Sequence, residues 1–119
     1  MGWLQKVLGG GTGVSASAAK GLVDDGAVLL DVREQAEWDA GHAPEARHLP
    51  LATLSHRLDS VPRDRRVVVV CRSGRRSAQA TALLSRSGVD AVNLTGGMQA
   101  WWASGLPVVG GGGRPGVVA

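Results

Sequence analysis

An α/β domain, built on a mostly parallel sheet with helices on both faces, is the fold class this sequence predicts, and three observations predict it. Several apolar runs are short and do not alternate, among them Ala27-Val-Leu-Leu30 and Arg66-Val-Val-Val-Val70, as strands buried on both faces require. Segments between them carry apolar residues at helical spacing, with cap and stop residues at their ends. The two kinds of segment alternate along the chain, which implies helices joining strands that run the same way.

Taken in order, Ser15 or Ser17 caps a short helix running to about Val23, and Asp24-Asp25-Gly26 is its exit turn. Ala27–Leu30 is the first strand, and Glu34–Ala40 a short helix stopped by Gly41. Ala46–Leu49 is a brief strand ended by Pro50; Leu51, Leu54 and Leu58 then recur at helical spacing before Pro62. Arg66–Val70, β-branched throughout its valines, belongs at the sheet centre. Ser77–Ser87 reads as a helix closed by Gly88, Ala91–Leu94 as the last strand, and Met98–Ser104 as the last helix. Outside this body, residues 1–13 form a flexible or short helical lead-in and 110–119 a glycine-rich, disordered tail, leaving 14–109 as the domain.

Composition narrows the function classes. A chain of 119 residues holds one domain, with 44% hydrophobic and 19% charged residues, ordinary for a globular protein. Its single cysteine forbids an intrachain disulfide and suits a reducing cytoplasm. The longest apolar run is far short of the roughly 18 residues of a membrane span, and Met1–Leu8 lacks the lead-in of a secretory signal. The net charge of +3 comes with only 3% aromatics and with arginines clustered at 63–66 and 72–76. That pattern favours a local anion site over nucleic-acid binding. His42, His48, His56 and Cys71 lack the paired spacings of a metal site, and no cofactor is expected.

The chemistry concentrates where a strand ends. Cys71 follows the valine run directly, and Arg72, Ser73, Gly74, Arg75, Arg76 and Ser77 lead into the next helix. Small residues let such a loop curl its N–H groups inward as an anion nest, and the helix N-terminus adds positive potential. Cationic neighbours of that kind favour a thiolate. A buried structural cysteine is the plainer reading, but it has no need of three cations.

The segment Cys71-Arg-Ser-Gly-Arg-Arg-Ser77 resembles the active-site loop of single-domain rhodaneses, the sulfurtransferases. Leu30-Asp-Val-Arg-Glu34 with Glu37-Trp38 and Gly41-His42 is similar to that family's first motif, and Thr95-Gly-Gly-Met98 with Trp101 and Gly105-Leu-Pro-Val108 to its last. Ala43 and Glu45 depart from the family's usual aliphatic residue and glycine. The resemblance implies a Cys71 persulfide, loaded by a small anionic donor such as thiosulfate and unloaded to cyanide or a thiol, protein thiols included. It implies Arg72 and Arg75 as holders of the donor. Asp31 and Arg33 are expected to support the loop from the neighbouring strand, with Arg76 braced against Asp31.

Three rivals are weaker. A cysteine phosphatase resembles Cys-x5-Arg, and the position that needs arginine is Ser77. Gly11-x-Gly13-x-x-Ala16, with Asp31 twenty residues after Gly11, matches a dinucleotide fingerprint, but only Val7-Leu8 precede it as a strand. A non-catalytic binding module on the same fold would not need Cys71 and its arginines intact.

Overall fold

The computed structural model describes residues 13–119. In chain order its elements are β1 (Gly13–Val14), α1 (Ala16–Asp24), β2 (Val28–Asp31), α2 (Gln35–Ala40), β3 (Arg47–His48), α3 (Leu51–Leu54), β4 (Val67–Val70), α4 (Arg75–Arg86), β5 (Ala91–Leu94) and α5 (Gly97–Ala103). Two 3₁₀ turns lie at Leu58–Ser60 and Gly111–Gly113. The strands form one parallel sheet of five among the described residues, in the order β1-β5-β4-β2-β3.

The valine run supplies the central strand, with all four side chains fully buried. Because side chains alternate across a strand, Val67 and Val69 face one layer and Val68 and Val70 the other. The first layer contains Val28, Leu30, Leu54, Ala80 and Leu84, so α3 and α4 cover that face. The second contains Leu29, Ala16, Ala19, Met98 and Trp101, so α1 and α5 cover the other. Cys71 continues the Val67–Val69 face, beneath α4.

Chain order decides where a ligand can sit. From β2 the chain runs outward to β3, then crosses back to β4 and continues outward the other way through β5. The order therefore reverses between β2 and β4, and in open parallel sheets the binding crevice opens beyond the carboxyl ends of such a pair. Asp31 ends one of these strands and Cys71 follows the other.

Several elements differ from expectation. β1, which claims Gly13 from the expected lead-in, pairs with Asn93 and Leu94 of β5. The strand expected over 46–49 is two residues long. The leucine-spaced helix stops at Leu54, after which His56 and Arg57 donate to Thr53 and Leu54 in the tighter three-residue pattern. Of the fingerprint, Gly11 lies outside the described residues, as do residues 1–12 of the lead-in, while Gly13 belongs to β1 and Ala16 opens α1. Asp31, the acid at that rival fingerprint's offset, is fully buried against Arg33.

Residues 110–119, expected to be disordered, lie against the domain instead. Val109 bridges both His42 and Pro115, and Val117 N–H donates to the Ala40 carbonyl. The glycines here allow close approach. A Cβ on Gly41 would stand 2.3 Å from Val117 O, and one on Gly116 2.6 Å from Val109 C. No helix among the described residues is long and apolar enough to cross a membrane.

Leu84, fully buried under the sheet, tests this layering. Leu84→Ala should lower unfolding free energy by about 2–5 kcal/mol, measured from urea midpoints.

Candidate active site

Cys71 lies at the floor of a loop that turns abruptly into α4. Gly74 makes the turn: its φ of 106° is a left-handed conformation that favours glycine, and it caps α4 two residues earlier than the sequence suggests. Gly74 N–H donates to Cys71 Sγ at 3.1 Å, and Ser77 Oγ, one turn into the helix, stands 3.3 Å from the same sulfur. Cys71 is 1% exposed. Burial pushes its thiol pKa up, but the Ser77 hydroxyl and the N–H groups of Ser77, Gly74 and Ser73 outweigh this. The net result is a pKa below the ordinary thiol value.

Asn93, on β5, completes the floor and was not singled out by the sequence. Its Nδ2 donates to Gly74 O at 3.1 Å, which turns its Oδ1 toward Ser77 Oγ at 2.5 Å. Ser77 has one hydroxyl proton for two acceptors. Given to Asn93, it leaves the Oγ lone pairs to receive the Cys71 S–H; given to sulfur, it stabilises the thiolate.

The other side of the loop rests on α5. Met98 N–H donates to Cys71 O at 2.7 Å and Gln99 N–H to Arg72 O at 3.0 Å. Gly97 permits this contact, since a Cβ there would stand 2.3 Å from Cys71 O, and its φ of 59° also favours glycine. The segment Thr95–Met98 is therefore the support of the cysteine loop.

The three loop arginines divide. Arg76 forms a two-pronged pair with Glu37 of α2, Nη1 to Oε1 at 2.6 Å and Nη2 to Oε2 at 2.8 Å. This corrects the expected partnership with Asp31. Arg33, only two residues along, takes Asp31 first, through Nε at 3.0 Å and Nη2 at 2.8 Å. Both of those side chains are fully buried, and Arg33 Nη2 also donates to Gly41 O, so together they pin the segment between β2 and the start of the α2–β3 loop. Arg72 donates through Nε to Ala119 O at 2.8 Å, and Arg75 is exposed. Neither belongs to an ion pair among the described residues.

The Arg76 bond holds the Glu37 carboxyl at about 2, well under its ordinary 4.5, and Glu37 in turn raises Arg76 above its usual value. The position a cysteine phosphatase would fill with arginine is the buried Ser77, bonded to Cys71 and Asn93. His42 serves the frame: its Nδ1 lies 2.8 Å from Trp38 O, and its ring stacks on Trp38 at 3.6 Å. Beside the loop, Val32, Glu34, Pro50, Leu51, Ala52 and Arg76 line a cleft of about 410 Å³. The centre thus joins a thiolate-favouring cysteine and an N–H cradle to two arginines outside the ion pairs of the described residues, a site for a nucleophile and an anionic sulfur or oxyanion.

Comparison with known proteins agrees with this geometry. The family model described as a Rhodanese-like domain matches residues 15–104. A sulfurtransferase of Allochromatium vinosum is 45% identical over 97 residues, covering 80% of this chain and 91% of that protein. The putative sulfurtransferase YtwF of Bacillus subtilis is 34% identical over 90 residues, covering 74% and 87%. Among solved structures, a rhodanese-related protein from Thermoplasma volcanium superposes with a TM-score of 0.78 at 32% identity. That match covers 82% of this chain and 97% of the other.

Two outcomes test the site. Cys71, the only thiol, should show a thiolate absorbance midpoint at 240 nm below the ordinary thiol value, and Ser77→Ala should raise it. The Glu37–Arg76 pair stabilises fully above pH 4.5 and loses its contribution as pH falls from there toward about 2, because the folded-state value is the lower one. Glu37→Gln should therefore be less stable at neutral pH, with a shallower loss of urea resistance across that acid range.

Proposed function

The chain belongs to the rhodanese-like family, and on that premise we propose that it is a sulfurtransferase carrying sulfane sulfur as a persulfide on Cys71. The observation that carries this reading is the N–H cradle around Cys71 Sγ, with Gly74 N–H at 3.1 Å. It favours the thiolate first and the negative persulfide afterwards.

Thiosulfate suits the site as donor. The Cys71 thiolate attacks its outer sulfur, a new S–S bond forms to Sγ, and the donor's own S–S bond breaks with its electron pair leaving on sulfite. Arg72 and Arg75 hold the sulfonate oxygens, guanidinium forks being matched to such anions. To do so Arg72 exchanges its bond to the Ala119 oxygen for one to the donor. In the second step cyanide or a thiolate attacks the outer persulfide sulfur, and Cys71 leaves as thiolate. With no second cysteine in the chain, the acceptor is an outside molecule. Splitting the exchange this way replaces one difficult displacement by two easier ones. A single unpaired thiol that must stay reduced between turnovers suits the cytoplasm.

Intact mass after incubation with thiosulfate tests the reading. The wild type should gain one sulfur, about 32 Da, removable by cyanide, and Cys71→Ser should gain none; an unmodified wild type would overturn the thiosulfate step.

A further inference from the structure

The charged groups around the cysteine segment differ in their surroundings. Arg72 and Arg75 enter no ion pair among the described residues and do not line the cleft beside the loop. That cleft, of about 410 Å³, is surfaced by Val32, Pro50, Leu51 and Ala52, with Glu34 and Arg76 as its charged groups. The charge of Arg76 is answered by Glu37, 2.6 Å away. Glu34 is exposed and enters no ion pair among the described residues, so the rim of this cleft is net negative.

Two connections tie the cleft to the cysteine segment. Arg76 belongs both to it and to the cysteine loop. Val32 packs in the same core layer as Cys71, and its N–H donates to Val70 O at 3.0 Å, one residue before the cysteine. Leu51 N–H in turn donates to Val32 O at 3.0 Å, which fixes the apolar wall to the end of β2.

We propose that this cleft is the acceptor subsite and that it selects aliphatic thiols bearing a cationic amine. The proposal rests on the persulfide reading of Cys71 and adds which acceptor the persulfide meets. The carbon chain lies on Val32, Pro50, Leu51 and Ala52, where removal of apolar surface from water favours it. The amine meets the Glu34 carboxylate, and an anionic thiol at the same place is repelled. Transfer then proceeds by attack of the acceptor thiolate on the outer sulfur of the Cys71 persulfide. The outer sulfur first takes a proton from water; the acceptor–sulfur bond then forms, the Sγ–S bond breaks with its electrons on Sγ, and the protonated sulfur leaves as the acceptor's persulfide. Arg72 and Arg75 are not among the residues that line the cleft, so an anionic donor and a cationic acceptor do not compete for one set of charges.

The test uses the whole chain and two arms. In the first, unreactive thioethers are titrated into the resting protein, cationic methylthioethylamine against anionic methylthiopropionate, with the backbone amide shifts of Leu51 and Ala52 read by NMR. The amine should shift these amides saturably, the propionate should not, and Glu34→Gln should weaken the amine roughly two- to fivefold. Equal binding of both probes, or an amine affinity indifferent to Glu34→Gln, would overturn the proposal. In the second arm, sulfur-loaded protein is mixed with cysteamine or mercaptopropionate, and the ratio of transfer rates should fall by a similar factor in Glu34→Gln; an unchanged ratio overturns it. Failure of the wild type to load sulfur would instead sink the persulfide reading, while the binding arm still decides the cleft.

Discussion

Two hydrogen bonds from α5 to the cysteine loop control the geometry of everything around Cys71. A trans peptide is planar, and its C=O and N–H point to opposite sides. Met98 and Gln99 draw the carbonyls of Cys71 and Arg72 toward α5. The N–H groups of the same two peptide units, those of Arg72 and Ser73, are thereby turned the other way, and Ser73 N–H is among the groups that favour the thiolate. The arrangement tolerates no side chain at Gly97, whose Cβ would enter the Cys71 carbonyl. The cradle is thus a consequence of backbone packing, and the arginines are additions to it.

Charge around the loop is partitioned by two ion pairs with different tasks. Asp31 and Arg33 are both fully buried, and a buried pair of this kind is weak evidence of net stability because desolvation opposes the attraction. Its evident effect is positional: Arg33 also holds Gly41 O and so fixes the chain that leaves β2. Glu37 and Arg76 tie α2 to α4 across the crevice and remove one positive charge from the loop. What is left is asymmetric: Arg72 and Arg75 enter no ion pair among the described residues, while the cleft beside the loop carries the Glu34 carboxylate over an apolar wall.

Much of this was legible in the sequence. The α/β class, the central valine strand, the order of helices and the Cys71 loop were readable because each depends on neighbours in the chain: unbroken apolar runs, spacing, and small residues after a strand. Boundaries were less so. The helix after the loop begins at Arg75 because Gly74 adopts a left-handed turn, and the leucine-spaced helix ends at Leu54 because its last turn tightens. The glycine tail shows the ambiguity of glycine itself. Its missing Cβ means flexibility in open solvent and close contact beside another backbone, and only the presence of Ala40 and Gly41 opposite Val117 selects the second.

The sequence by itself determined the single cysteine, its place at a strand end, and the residue types that surround it, since these are written within seven consecutive positions. Tertiary structure alone decided the partners. Arg76 meets Glu37, thirty-nine residues away, because Asp31 was already claimed by Arg33 beside it. Asn93 and Gly97 reach the loop only because β5 lies next to β4 and α5 returns beneath it. Local chemistry propagates along the chain and can be read there; a pairing between distant residues depends on the order of strands in the sheet, which no single stretch of sequence contains.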